Sequence, residues 1–236
     1  MNVVITMGGI GSRFRKAGYT VPKYEIEVNG KTLFDWSMLS LKSFFDEKFF
    51  FIVRKEDHAR AFIQQHCSDL GIHASIHEIN YLTKGQAETA ILVSDYWERN
   101  EGLLIYNIDT YVEPGCMNTE QISGDGFIPC FTAEGNHWSF VKLDKEGKAI
   151  EVREKKRISN HCSIGAYYFS SAALYEKIYH EFYLNNHYLE KGEQYIAPMY
   201  NYMIKKGYEV RIQDIPASRV HVLGTPKELE VFKSQS

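Results

Sequence analysis

The sequence predicts an α/β fold in which a mostly parallel β-sheet carries helices on both faces. Through the first half of the chain, short apolar runs rich in β-branched and aromatic residues alternate with segments of helical period. Alternation of this kind indicates βαβ crossovers, whose helices cover the two faces of a parallel sheet. The second half shows strand-like runs separated by turns, which predicts a small added β-rich part.

Length and charge favour one domain with a specific, local site. The chain has 236 residues and a formal net charge of -3. No linker, low-complexity segment or repeat divides it, so we predict a single domain over residues 1–236, with halves at 1–112 and 113–236. The nearly balanced charge gives no general affinity for nucleic acid or for an anionic membrane, and neither is expected as a partner.

The spacing of the cysteines and the pattern of the N-terminal residues predict the cellular compartment of the protein. Cys67, Cys116, Cys130 and Cys162 are widely spaced and form no CxxC pair. The N-terminus enters a strand-like run directly, without a signal-peptide pattern. No apolar run reaches the ~18 residues that span a bilayer. We therefore expect a cytoplasmic protein.

Periodicity predicts the individual elements. In the first half, strands are predicted at residues 3–7, 49–53, 74–79 and 103–108, and helical segments at 32–45, 58–71 and 85–100. In the second half, strands are predicted at 126–135, 139–155, 162–171 and 208–215, with a hairpin turn at 144–148 and helical segments at 171–185 and 193–207. Because open α/β sheets bind ligands beyond the carboxyl ends of their strands, site residues are expected there.

A glycine-rich turn follows the first strand. Gly8, Gly9 and Gly11 lack Cβ atoms, so backbone N–H groups can approach an anion closely, although a purely structural turn is the alternative. Phe14 stands where a dinucleotide fingerprint needs its third glycine, and the P-loop pattern G-x-x-x-x-G-K-[ST] is missing. Both of these nucleotide-binding motifs are therefore excluded.

Two cations come after the turn. Arg13 follows it by two residues, and Lys23 stands behind Pro22. Arginine offers a planar fork to phosphate oxygens and lysine a point charge. A strand, a glycine turn and both cations in this order predict a polyphosphate ligand, which we interpret as a nucleoside triphosphate.

The segments MGGIGSRF and VPKYEIEVNGKTLFDW resemble the opening of the sugar-phosphate nucleotidyltransferases, with departures at Tyr24 and Thr32. The resemblance implies a Rossmann-like, nucleotide-diphospho-sugar transferase or GT-A-like fold, with a nucleotide-binding half at 1–112 and an acceptor-binding half at 113–236. It implies catalytic roles for Arg13 and Lys23. It also implies that the triphosphate is held by Met7, Gly8, Gly9, Gly11 and Ser12.

Asp109 follows the fourth apolar strand. A carboxylate at the carboxyl end of a parallel strand is suited to hold Mg²⁺ on triphosphate oxygens, whereas capping of a turn is the alternative. The resemblance implies that Asp109 is catalytic and binds Mg²⁺, with Mn²⁺ as a second candidate. Asn107 and Asp109 also form a variant of a D-x-D motif. A GT-A-type glycosyltransferase therefore stays an alternative function.

Two further blocks resemble the family. Residues 83–90, TKGQAETA, match the segment that reads the nucleobase, which implies this role for Gly85, Gln86 and Ala87. The block from residue 152 to 169 resembles E-K-P followed by N-x-G-x-Y-x-F. This resemblance implies that Glu154 contacts a sugar hydroxyl of the acceptor and Lys155 its phosphate. Gly165 and Tyr167 complete the acceptor-binding set.

The C-terminal motif departs from the family. Residues 221–232, HVLGTPKELEVF, resemble W-x-D-x-G-T-P-x-x-L, but the second metal carboxylate falls at Val222, which cannot bind a metal. Either His221 replaces it, or the nucleotide and water complete the metal coordination. Shorter relatives without this carboxylate resemble cytidylyltransferases of small phosphorylated metabolites, which suggests a role in surface polysaccharide precursors.

The predicted reaction is transfer of a nucleotidyl group from a nucleoside triphosphate to a phosphorylated small-molecule acceptor, with release of pyrophosphate. An acceptor phosphate is already ionised near neutral pH, so no Ser-His-Asp or Cys-His set is needed. A glycosyltransferase and a non-catalytic nucleotide-binding protein are the alternatives. The sequence is compatible with a homo-oligomer.

Overall fold

The structure is a computed structural model that describes residues 1–184, 189 and 192–234. The first half contains β1 (Asn2–Met7), α1 (Ser12–Lys16), β2 (Glu27–Val28), β3 (Lys31–Thr32), α2 (Leu33–Leu39), β4 (Lys48–Arg54), α3 (Arg60–Leu70), β5 (Ala74–Ile79), α4 (Gln86–Ile91), β6 (Leu103–Asn107) and β7 (Thr110–Val112). The second half contains β8 (Gly126–Phe131), β9 (Ser139–Leu143), β10 (Ala149–Glu154), β11 (His161–Ser163), β12 (Ala166–Phe169), α5 (Ala172–Tyr179), α6 (Ala197–Lys205), β13 (Val210–Asp214), β14 (Val220–Val222) and α7 (Pro226–Ser234).

In the described part of the chain, ten strands form one mixed sheet. Its order is β10-β9-β11-β8-β12-β6-β1-β4-β5, with β13 paired to β8. The core is parallel, because β1 runs parallel to β4 and β6, and β4 runs parallel to β5. The pairings of β6 with β12, β12 with β8, β8 with β11, β11 with β9 and β9 with β10 are all antiparallel. The predicted β-rich part is therefore continuous with the main sheet, since β12 covers the edge of β6 that would otherwise present unpaired backbone groups.

Apolar layers lie on both faces of the sheet. Phe34 of α2 and Ile63 of α3 pack in the core on one face. Tyr175 of α5 and Tyr200 of α6 pack in the core on the other. All four side chains are completely buried. The predicted α/β fold with helices on both faces is confirmed, in a mixed sheet whose core strands are mainly parallel.

Several helices are shorter than their periodic segments. Within the predicted segment 32–45, α2 begins with a capping box between Thr32 and Asp35 and ends at Leu39. The next residue, Ser40, uses its hydroxyl to accept a hydrogen bond from the Val112 N–H at 2.9 Å. The chain leaves the helix there because this side chain joins α2 to β7. The segment 85–100 likewise forms a helix only over Gln86–Ile91.

The turn predicted at 144–148 is confirmed as the connection of the antiparallel pair β9 and β10. Asp144 Oδ1 accepts hydrogen bonds from the N–H groups of Glu146 at 2.8 Å and Lys148 at 2.9 Å. Gly147 has φ of 77°, a conformation in which glycine avoids a steric penalty.

The four cysteines are buried and free. Among the described residues, no helix combines the length and the apolar character needed to cross a membrane.

Candidate active site

A cleft of about 730 Å³ opens beyond the carboxyl ends of β1 and β6. The chain leaves β1 toward β4 and β5 on one side, while β6 lies on the other, so the cleft sits where the strand order reverses. Its volume is typical of a small-molecule site. Of the residues selected from the sequence, the lining contains Met7, Gly8, Gly9, Gly11, Ser12, Arg13, Lys23, Gly85, Gln86, Asp109 and Lys155.

The glycine turn directs backbone toward this cleft. Gly11 has φ of 65° and precedes α1. At Gly9 the position of a Cβ has no atom within 4 Å, so this part of the turn faces open space. Phe14 anchors α1 because its side chain is 1% exposed. Arg13, the preceding residue, is exposed and lines the cleft.

Lys23 and Asp109 form an ion pair at the base of the cleft. Lys23 begins a short 3-10 turn behind Pro22, and the buried ring of Tyr24 holds this turn against the core. The two side chains remain 20% and 38% exposed, respectively. Both charges are therefore accessible to a ligand.

The turn that carries Asp109 is fixed from three sides. Its N–H donates to Asn107 Oδ1 at 3.2 Å, and its carbonyl accepts from the Leu223 N–H at 2.7 Å. Gly165 lies against Asn107, and a Cβ there would be 2.0 Å from Asn107 Nδ2. The structure thus gives Gly165 a packing role outside the cleft lining, and its predicted contact with an acceptor stays a prediction.

Gly224 faces the Asp109 carboxylate. A Cβ on Gly224 would lie 3.5 Å from Asp109 Oδ2 and 3.6 Å from Glu228 Oε2, so both carboxylates approach the same small space. The described residues contain no group of three or more His, Cys, Asp and Glu side chains that could hold a metal. Any metal at Asp109 would therefore take most of its ligands from a substrate and from water.

His221 lies outside the cleft lining. Its ring stacks on Tyr111 at 5.3 Å between centroids, and its Nε2 is 3.4 Å from Glu113 Oε1. It also contacts the ring of Phe232. These contacts give His221 a structural role, and metal binding by this residue stays a prediction.

The loop that carries Gly85 is joined to a later segment of the chain. The Gln194 N–H donates to the Lys84 carbonyl at 2.8 Å, and the Ala87 N–H donates to the Gln194 carbonyl at 3.0 Å. Gly85 has φ of 149°, and a Cβ there would lie 2.5 Å from the Gln194 carbonyl oxygen. Ala87 is buried outside the lining, with its N–H already engaged.

Lys155 reaches the cleft from the second half of the chain in a left-handed conformation, with φ of 51°. Its N–H donates to the Trp138 carbonyl at 2.9 Å, and its Nζ donates to the Tyr195 hydroxyl at 2.6 Å. Burial favours the neutral amine, but the hydrogen bond with Tyr195 and the charges of Glu154 and Glu193 prevail and raise the pKa of Lys155 above its ordinary value. Lys155 is accordingly a permanent cation.

Glu154 and Tyr167 lie beneath Lys155 rather than in the cleft lining. Ser139 Oγ donates to Glu154 Oε2 and lies 3.0 Å from the Tyr167 hydroxyl. Burial, together with the Glu154 charge, raises the pKa of the Tyr167 phenol. This buried network supports the strand end that presents Lys155, and direct contact of either residue with an acceptor stays a prediction.

Sequence reasoning missed part of the lining. The residues not selected as site residues are Thr6, Ile10, Phe14, Leu82, Thr83, Lys84, Thr89, Asn107, Gly192, Glu193, Tyr195 and Gly224. Thr6 could have been found from its position near the end of β1, whereas Asn107 enters the sequence prediction only as part of the D-x-D variant. Glu193 and Tyr195 belong to no local motif and enter the cleft only through long-range packing.

Comparison with solved structures identifies the family of this chain. The chain is 34% identical to the nucleoside-diphosphate-sugar pyrophosphorylase from Vibrio cholerae RC9, with a TM-score of 0.90 over 99% of this chain and 100% of that one. The inositol-1-phosphate CTP transferase from T. maritima is 17% identical, with a TM-score of 0.78 over 98% and 93% of the two chains. The CTP:phosphocholine cytidylyltransferase from Streptococcus pneumoniae is 15% identical, with a TM-score of 0.77 over 99% and 98%. At these lower identities the likeness concerns the fold.

No family model and no curated protein matches the sequence. The family is instead established by the full-length similarity at 34% identity, together with the shared fold. The chain therefore belongs to the sugar-phosphate nucleotidyltransferases and is a nucleotidyltransferase related to the nucleoside-diphosphate-sugar pyrophosphorylases.

Proposed function

We propose that the chain transfers the nucleotidyl group of a nucleoside triphosphate to a phosphorylated small-molecule acceptor and releases pyrophosphate. A sugar phosphate is the first candidate acceptor, because the relative from Vibrio cholerae is a nucleoside-diphosphate-sugar pyrophosphorylase. The observation that carries the proposal is the meeting of a glycine turn, several cations and the Asp109 carboxylate in a single cleft. By extension, we propose a role in the synthesis of surface polysaccharide precursors.

In this reaction an oxygen of the acceptor phosphate attacks the α-phosphorus in line. The bond between the α-phosphorus and the bridging oxygen breaks, and pyrophosphate leaves with the electron pair. Lys155 binds the acceptor phosphate, Lys23 binds the transferring phosphoryl group, and Arg13 with the glycine-turn amides binds the departing pyrophosphate. Catalysis then consists of positioning and charge neutralisation, without a protein general base.

The donor set of the cleft fits Mg²⁺. Magnesium in nucleotide sites is usually held by one or two carboxylates together with substrate phosphates and water. We propose that Asp109 holds this ion, with Mn²⁺ as the alternative. When bound, the ion would neutralise charge on the triphosphate oxygens. Because His221 lies outside the lining, coordination completed by the nucleotide and water is the arrangement that we favour.

Pyrophosphate release tests the proposal. CTP, UTP, dTTP, ATP and GTP should each be offered with Mg²⁺ and a panel of phosphorylated sugars, alcohols and amino-acid derivatives. We expect release that requires one nucleotide, one acceptor and a divalent ion, and that Asp109→Ala abolishes. Asp69→Ala is the control, since Asp69 is an exposed residue of α3 outside the cleft lining. Cleavage of a sugar nucleotide without pyrophosphate chemistry would instead identify a glycosyltransferase, and tight nucleotide binding without turnover a non-catalytic binding protein.

A further inference from the structure

We propose that Tyr195 is a positioning residue that holds the Lys155 ammonium where the acceptor phosphate binds. The inference rests on the proposed function, which makes Lys155 the binding group for that phosphate. Tyr195 belongs to none of the sequence motifs, yet it lines the cleft beside Lys155. Its hydroxyl accepts a hydrogen bond from Lys155 Nζ at 2.6 Å, and the same Nζ lies 4.3 Å from the centroid of its ring.

Lys155 needs a positioning residue because its side chain is long and its backbone conformation is unfavourable. Non-glycine residues with positive φ are uncommon and are found where surrounding structure enforces them, often at functional sites. Lys155 is fixed at the backbone by Trp138 and at the ammonium by Tyr195, while Glu154 Oε1 lies 3.7 Å from the same Nζ. Without the Tyr195 hydroxyl only this longer ion pair would restrain the ammonium, and ordering the side chain on the acceptor would weaken binding.

Tyr195 is itself a fixed support. Its carbonyl accepts a hydrogen bond from the Tyr183 hydroxyl. The neighbouring Gln194 is hydrogen-bonded through its backbone to the loop that carries Gly85. Tyr195 therefore connects the predicted nucleobase loop with the cation of the acceptor half, and the two substrate positions share one rigid support.

A matched pair elsewhere in the chain provides the control. Lys177 Nζ donates to the Tyr208 hydroxyl at 3.0 Å and lies 5.6 Å from the centroid of its ring. This pair has the same chemistry, but neither residue lines the cleft. Tyr208→Phe should remove a Lys–Tyr hydrogen bond without changing the steady-state kinetics.

The test is the separate KM of each substrate. Tyr195→Phe keeps the ring and removes the hydroxyl, so we expect the acceptor KM to rise about 10-fold, the size of one lost hydrogen bond to a charged group. The nucleotide KM should stay within twofold, and the melting temperature should match that of the wild type.

A double-mutant cycle separates positioning from a general structural effect. In a Lys155→Met background, Tyr195→Phe should have no further effect on the acceptor KM, because the hydroxyl would have no ammonium to hold. An equal rise of both KM values, or a full effect of Tyr195→Phe without the lysine, would overturn the inference. If the wild type transfers the nucleotidyl group and Tyr195→Phe leaves the acceptor KM unchanged, the inference is wrong and the proposed function stands. A wild type without any transfer overturns the proposed function and this inference with it.

Discussion

Six charged side chains from distant parts of the chain line the cleft, namely Arg13, Lys23, Lys84, Asp109, Lys155 and Glu193. Three of those that the proposed reaction uses stand next to a group that fixes their backbone. Phe14 anchors the helix of Arg13, the buried Tyr24 anchors the turn of Lys23, and Asn107 holds the turn of Asp109. The charges are therefore pre-organised around the position that we propose for a triphosphate, which is the condition for electrostatic catalysis.

At the residue scale, Arg13→Gln should lower kcat/KM by about 10²- to 10³-fold, the usual effect of removing one electrostatic partner of a transition state. Arg15→Gln is the matched control, because Arg15 lies on the same helix but outside the cleft lining. Its contact with Asp57 is long, at 3.7 Å. Steady-state kinetics of both variants check the prediction. Similar losses in the two variants would mean that α1 tolerates no substitution, and that the effect at Arg13 is structural.

At the scale of elements, loops and the first turns of two helices build the site, since Arg13 belongs to α1 and Gln86 to α4. The turn after β1, the turn after β6, the loop before α4 and the segment before α6 converge at one edge of the sheet. The last two are joined by backbone hydrogen bonds between Gln194 and the residues on either side of Gly85. The segment 192–195 is thereby held against the loop that carries Gly85, although it precedes a helix that packs mainly on β10.

Gly85→Ala should disrupt this junction. The new Cβ would lie 2.5 Å from a backbone oxygen, at a φ that other residues rarely adopt. Strain and overpacking together should lower the free energy of unfolding by roughly 2–4 kcal/mol. The KM values of both substrates should rise, because the loop that carries Gly85 and Tyr195 would move together.

Thermal unfolding and two-substrate kinetics check this prediction. Gly9→Ala is the control for stability, since a Cβ at Gly9 has no atom within 4 Å and should leave the melting temperature unchanged. A Gly85→Ala protein with wild-type stability and wild-type KM values would show that the junction is adjustable.

At the scale of the whole molecule, ligand binding should stabilise the fold. A ligand at about 100 times its Kd adds about 2.7 kcal/mol. For a domain of this size, that free energy corresponds to a rise in melting temperature of roughly 5–10 °C. We expect such a rise with the correct nucleoside triphosphate and Mg²⁺, and a much smaller one for Arg13→Gln. Equal shifts in the two proteins would place the triphosphate away from Arg13.

At the scale of the whole molecule, some parts of the fold and of the site could be predicted from the sequence and others could not. The parallel core, the glycine turn and Asp109 could be predicted because strand periodicity and the residues that follow each strand are local signals. The continuity of the antiparallel strands with the main sheet was not predictable, since it depends on which strand pairs with the exposed edge of β6. Tyr195 was not predictable either, because its contact with Lys155 joins residues 40 positions apart.

Some predicted site residues have another position in the structure. Ala87, Glu154, Gly165, Tyr167 and His221 lie outside the cleft lining. A sequence motif contains residues that contact a ligand and also residues that pack beneath the ligand-contacting ones. Gly165 illustrates the point, because its missing side chain makes room for Asn107. A sequence pattern alone does not separate these two roles.

Attack on the α-phosphorus is the central claim, and the fate of a radiolabel tests it most directly. The nucleotide and acceptor that release pyrophosphate should be used with label in either the α- or the γ-phosphate of the triphosphate. We predict that the α-label enters the acceptor-linked product and the γ-label enters pyrophosphate, with both transfers lost in Asp109→Ala. Transfer of the γ-label to the acceptor, or its release as orthophosphate, would contradict the account.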